Sequence, residues 1–163
     1  MRQKAVAGVR RTGVLVAAAA CMLVLSPALA ADNPFAGLAG SWGGNGVIKY
    51  TDGSSERMRC NARYSGGAAD MSLAINCSNS NRNINLSGRL HSSGGRVSGS
   101  WAESNLGLSG SASGKASPGH VSLGLGGGVA GSMSVSYAGS HQDVAISVQN
   151  ATLQSVSMSL GKH

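Results

Sequence analysis

Four histidines, six carboxylates and three cysteines are the groups from which this chain would have to build an active site. His91, His120, His141 and His163 all fall at expected turns or at the terminus, and no His-X-X-X-His or Glu-X-X-His spacing occurs. A zinc site needs ligands grouped at such spacings, so no metal ligand and no cofactor is assigned. Serines are abundant, yet there is no Gly-X-Ser-X-Gly elbow to present one as a nucleophile. Gly126-Gly127-Gly128-Val129-Ala130-Gly131 fits Gly-X-Gly-X-X-Gly, but Ser132-Met133-Ser134-Val135 alternates like a strand where phosphate binding would need a helix N-terminus. No catalytic residue is assigned, and the chain reads as a non-enzyme. Asp32, Asp52, Glu56, Asp70, Glu103 and Asp143 lie mostly near expected turns, where water and local hydrogen bonds satisfy them.

Two other groups of residues carry more information. Cys60 and Cys77 lie in no Cys-X-X-Cys redox pair, and an even pair in an exported chain reads as one structural disulfide. Arg57, Arg59 and Arg63 share odd positions, so on a strand they project from one face. That face can be read as a contact for an anionic partner such as lipid headgroups or an envelope polymer. The plainer reading, and the favoured one, is a solvated wall that discourages strand addition.

Those residues must be carried by a chain whose start has a separate purpose. Arg2, Lys4, Arg10 and Arg11 form a basic beginning, 12–25 is apolar, and Ser26-Pro27-Ala28-Leu29-Ala30 ends in an Ala-X-Ala site. Together they read as a secretory signal peptide over 1–30, with cleavage expected before Ala31. A retained anchor is the competing reading, but the apolar run is shorter than the roughly 20 residues that cross a bilayer. No stable membrane span is therefore expected after cleavage, and the site of action is periplasmic or extracellular. Cys21 leaves with this segment. Four of the thirteen Lys and Arg leave too, so the formal charge of +7 falls to nine basic against six acidic residues, or +3. No nucleic-acid partner is expected from that balance.

The remaining 133 of the 163 residues suit one domain. A short segment over 31–39 contains Pro34, which suits the start of a turn, and Phe35 and Leu38, which suit a plug. From 40 to 163 the apolar period is 2, interrupted by Gly, Ser and Asn clusters about every ten residues, as in an antiparallel meander. Ten strands are expected, at roughly 41–52, 55–65, 70–79, 83–92, 95–104, 107–116, 119–127, 131–139, 142–150 and 154–162. Residues facing each other across a hairpin have a constant index sum and share a face. A turn within 66–71 then sets Cys60 opposite Cys77, and a turn within 78–83 sets Cys77 opposite Ile84. Centring the later turns on 92–95 and 139–142 pairs Leu90 with Val97, Leu86 with Trp101 and Tyr137 with Val144. Closing the meander into an up-and-down barrel buries the apolar face and removes both edges. A two-sheet sandwich is the rival all-β solution, and 112–131 is the region hardest to assign because it is so rich in glycine.

The larger groups on the inward parity are Trp42, Tyr50, Met58, Tyr64, Leu73, Leu86, Trp101, Met133, Tyr137 and Met158. They either line a cavity for a small apolar ligand or lipid, or simply fill the barrel. The first alternative makes the protein an exported non-enzymatic carrier or binder. The second leaves an envelope protein-interaction or inhibitor module that acts through its loops or its basic outer face.

Gly40-Ser41-Trp42, preceded by a Pro-containing segment and followed by a meander, resembles the start of calycin-type barrels such as lipocalins and fatty-acid-binding proteins. The resemblance implies that Trp42 packs across one end of the barrel. The late Arg that stacks on this Trp in lipocalins has no counterpart here, since Lys162 is the one Lys or Arg after Lys115. The chain is also similar to small uncharacterised exported proteins of rhizobial and related bacteria. That likeness is carried by Asn33-Pro34-Phe35-Ala36-Gly37-Leu38-Ala39-Gly40-Ser41-Trp42, by 52–60 with Tyr64, and by Ser98-Gly99-Ser100-Trp101. It implies an exported β-rich domain and brings no activity with it.

Overall fold

Period-2 patterning places alternate side chains on opposite faces, and a long series of such segments has to bury one of them. In a computed structural model, which describes residues 33–163, the chain does so with ten antiparallel strands. They are β1 (Gly40–Tyr50), β2 (Ser55–Gly66), β3 (Asp70–Ser78), β4 (Asn83–Ser93), β5 (Arg96–Glu103), β6 (Leu108–Ser117), β7 (His120–Gly127), β8 (Ala130–Ala138), β9 (His141–Gln149) and β10 (Leu153–Lys162). Each strand pairs with its neighbours in the chain, and β10 returns to β1 to close the barrel. The sandwich alternative is thereby excluded. The expected leader over 1–30 lies outside the described residues.

The inward positions carry the apolar side chains, from Met58, Cys60, Ala62 and Tyr64 on β2 to Val156, Met158 and Leu160 on β10. Outward positions are mostly Ser, Asn and Arg. The glycine-rich segment is regular strand: β6 and β7 pair through Gly110 with Gly127 and Ser113 with Gly124.

The first two hairpin registers are as expected, with Cys60 opposite Cys77, Tyr64 opposite Leu73, Cys77 opposite Ile84 and Met71 opposite Leu90. The other two expected registers are corrected by two residues. Leu90 faces Gly99, Trp101 faces Gly88, and Leu86 faces Glu103. Likewise Tyr137 faces Gln142 and Val135 faces Val144. The reason is turn geometry. A two-residue I′ loop needs positive φ at both central residues, and Gly94 (57°) and Gly95 (74°) supply it, so the turn centres on that pair. At the later turn Gly139 (φ 56°) takes the first central position, as a II′ turn requires. A shift of two residues leaves every side chain on its face, which is why the parity survived the correction.

One end of the barrel is plugged by the segment before β1. Two successive turns, closed by Ala36 N–H to the Asn33 carbonyl (3.0 Å) and Leu38 N–H to the Phe35 carbonyl (3.0 Å), swing Phe35 and Leu38 inward. Both are 2% exposed, a burial that stabilises the fold by about 1.5–3 kcal/mol for each side chain. The far end is looser, with Tyr50, Ile84, Leu86, Leu108, Leu125 and Ile146 only partly covered.

Candidate functional site

Of the ten residues considered for a ligand cavity, Trp42, Met58, Tyr64, Leu73, Trp101, Met133, Tyr137 and Met158 are buried inside the barrel. Tyr50 and Leu86 are half-buried at the far end. Trp101 lies across the bare backbone of Gly110 on β6, and its Nε1–H is shared between the carbonyls of Ser111 (3.1 Å) and Gly126 (3.2 Å). A side chain at Gly110 would collide with that Gly126 carbonyl. The large rings are thus interleaved with small residues, and little space is left. An interior cavity bordered by Leu73, Leu90, Trp101, Leu123 and Met133 is about 20 Å³. Pockets for small molecules span roughly 300–1,000 Å³, whereas a space of about 20 Å³ is on the scale of a single water.

The polar groups beneath the plug hold it in place. Trp42 Nε1–H donates to the Leu38 carbonyl (2.8 Å), and the Tyr137 hydroxyl donates to the Pro34 carbonyl (2.8 Å). Lys162 extends from β10 so that Nζ sits 5.1 Å from the centre of the Trp42 ring while donating to the Gly37 carbonyl (2.9 Å). The expectation that Trp42 lacks a basic partner is therefore corrected. Lys162 is its direct cross-strand neighbour once β10 closes on β1, and a cation over indole is attractive. Deeper in, Gln142 Nε2 donates to the Tyr64 hydroxyl (2.8 Å), while Gln142 Oε1 is buried without a partner. Burial pushes the ionisation of Tyr64 and Tyr137 above the usual tyrosine range. In an unfolded chain these phenols ionise near pH 10. Their stabilising contribution is thus complete below about pH 10 and is lost as pH rises above it, because the unfolded chain releases protons that the barrel retains. Alkaline titration followed at 295 nm and by circular dichroism should find Tyr64 ionising only together with loss of the barrel signal.

At the far end the carboxylates are more occupied than their turn positions implied. Glu103 is buried, a correction to the expected solvated turn residue. It accepts from the backbone N–H groups of Asn85 (2.9 Å), Asn105 (3.3 Å) and Leu106 (2.6 Å), fixing the 104–107 loop. Glu103→Ala is expected to cost about 1–3 kcal/mol, since it strips partners from these donors; faster amide exchange at Asn105 and Leu106 would report it. Glu56 accepts from Asn79 Nδ2 (2.9 Å) and from the Tyr50 hydroxyl (3.1 Å), and hydrogen bonding from Asn79 is the main reason its carboxyl ionises below the usual range.

Arg57, Arg59 and Arg63 are exposed on the outer wall of β2. Alternate residues of a strand lie about 7 Å apart, so Arg57 and Arg59 are adjacent on the row and Arg63 stands about 14 Å beyond Arg59. Their cross-strand neighbours are Val47, Asn45 and Ser41 on β1 and, for Arg59 and Arg63, Ser78 and Ala74 on β3, none of them acidic. Among the described residues the ion pairs are His91 with Asp70 (2.8 Å) and His141 with Asp143 (3.1 Å). Asn61 stands between Arg59 and Arg63 on the same exposed row.

His120 sits beside a serine without completing a Ser-His-Asp relay. His120 Nδ1 lies 3.1 Å from Ser136 Oγ, but the adjacent carboxylate, Asp143, is across the serine from the imidazole and bound to His141. A Ser-His-Asp relay needs the imidazole in the middle. Among the described residues no group of three or more His, Cys, Asp or Glu could hold a metal ion.

No family model and no curated protein matches the chain. Among solved structures it is similar to the crystal structure of Rv2717c from M. tuberculosis, with a TM-score of 0.64 and 19% identity over 85% of this chain and 99% of that one. At this identity the likeness shows a shared barrel fold.

Proposed function

We propose that this protein is an exported, non-enzymatic barrel that works from its outer wall, engaging an acidic envelope partner through Arg57, Arg59 and Arg63. The observation that carries this reading is the filled interior: a cavity of about 20 Å³ offers no room for a lipid or other small apolar ligand. The disulfide joining Cys60 and Cys77 is consistent with an oxidising compartment. A membrane-spanning barrel turns an apolar band outward. Here the outward positions carry Ser, Asn and Arg, which supports a barrel that stands in water. Three exposed guanidinium groups, with no acidic cross-strand partner among the described residues, can make charge-assisted, bidentate hydrogen bonds to carboxylates or phosphates.

A photocrosslinking residue at position 61, within the Arg row, tests this in the living cell, with one at position 134 on another wall as control. A discrete adduct from position 61 that disappears in the Arg57→Gln, Arg59→Gln, Arg63→Gln variant is expected. Equal labelling from both positions would sink the proposal. Native mass spectrometry tests the interior separately: the purified protein should carry no retained small molecule, and a stoichiometric apolar ligand would return the function to the inside of the barrel.

A further inference from the structure

A second cationic feature lies on a different part of the wall. In the β5–β6 pairing Arg96 stands directly opposite Lys115, and both are exposed. Opposed residues in an antiparallel pair have Cβ atoms about 5 Å apart, and like charges so placed repel. Among the described residues neither cation has an ion-pair partner. Arg96 pairs on its other side with Ser93, and Lys115 with Ser122. The carboxylate of β3 nearest this end, Asp70, is already engaged by His91 Nδ1 at 2.8 Å.

The surface beside this pair is shallowly indented in two places. One groove, about 570 Å³, is bordered by Gly94, Gly95, Arg96, Lys115, His120 and Ser122. The other, about 430 Å³, is bordered by His91, Arg96, Ser98 and Ser113 among others. Glycines at the turn and serines along the strands keep side chains short, so a ligand can approach both cations while hydroxyl donors stand around it. An anion held between the two charges would replace repulsion with two charge-assisted hydrogen bonds, with serine hydroxyls able to donate further ones.

We infer that the Arg96–Lys115 apposition is an oxyanion site, taking the phosphoryl or sulfuryl group of a solute or of a lipid headgroup. It does not depend on the Arg57–Arg59–Arg63 reading.

Amide chemical shifts of the purified protein, followed during titration with inorganic phosphate and with sodium chloride at matched ionic strength, test the inference. Saturable shifts at Gly94, Gly95, Lys115 and Ser122 are expected with phosphate and not with chloride. They should be lost in Arg96→Gln, Lys115→Gln and retained in Arg57→Gln, Arg59→Gln, Arg63→Gln. Lys115→Glu should weaken phosphate binding by about tenfold or more while raising the thermal midpoint at low salt, because the repelling pair becomes an attracting one. Sedimentation with phosphatidylglycerol vesicles that is lost in the double variant would identify a headgroup as the source. Phosphate saturation without sedimentation would identify a soluble one. Shifts that do not saturate, or that persist in the double variant, would overturn the site.

Discussion

Trp42→Ala is expected to lower stability by about 3–5 kcal/mol, the range for removing a buried aromatic side chain from a packed core. The indole is 1% exposed and does three things at once. It fills the floor beneath the plug, donates to the Leu38 carbonyl, and lies under the Lys162 ammonium. Without it the plug loses both a hydrogen bond and its packing surface, so Phe35 and Leu38 should become accessible as well. Denaturant unfolding of the variant measures the cost, and proteolysis ahead of Gly40 at native conditions measures the loosening. Lys162→Ala should reproduce a small part of the effect, about 0.5–2 kcal/mol, because it removes the cation and leaves the ring. An equal loss in the two variants would mean that the plug is held by charge and not by the indole.

Removing the Cys60–Cys77 disulfide as a Cys→Ala pair is expected to cost about 3 kcal/mol by the chain-entropy estimate for a loop of this size. The two cysteines are 17 positions apart and face each other on β2 and β3. Both sulfurs point into the barrel, and Cys77 Sγ contacts Met158 Sδ at 3.5 Å from the strand that closes it. The bond therefore ties a hairpin and also contributes volume to the core. Because both cysteines are almost wholly covered, a thiol reductant should act only after unfolding. Reduction rates that follow the population of unfolded protein across a urea series would bear this out; rapid reduction without denaturant would contradict it.

What could be read from the sequence was governed by parity. Alternation alone assigned the inward residues, since a register error of two residues exchanges partners without moving any side chain to the other face. That is why Leu86 and Trp101 were expected to meet and yet both still point inward beside different neighbours. Local turn chemistry was legible in principle: Gly94-Gly95 is the one adjacent glycine pair of its turn, and both need positive φ there. Contacts made only by closure were harder. Lys162 reaches Trp42, and Gln142 reaches Tyr64, through strand neighbours set by the whole ring. Glu103 looked like a solvated turn carboxylate because its burial depends on three backbone N–H groups converging on it. The volume left inside was not readable at all. It follows from how Trp101 lies over Gly110 and how rings and small residues alternate between facing strands.

Closure also sets an order in time. Nine of the ten strand pairings join consecutive segments and can form as hairpins, whereas the tenth brings Trp42 to Lys162. Pairings so distant in the chain are slow to form, so an interval separates the closing of the β1–β2 hairpin from the arrival of β10. Throughout that interval β1 has one bare edge, a template on which another chain can add. Three of its residues are Gly43, Gly44 and Gly46, and glycine is a poor strand former. Gly44 and Gly46, which let β1 approach Ser157, Met158, Ser159 and Leu160 of β10 closely in the finished ring, also make its waiting edge a weak site for the wrong partner.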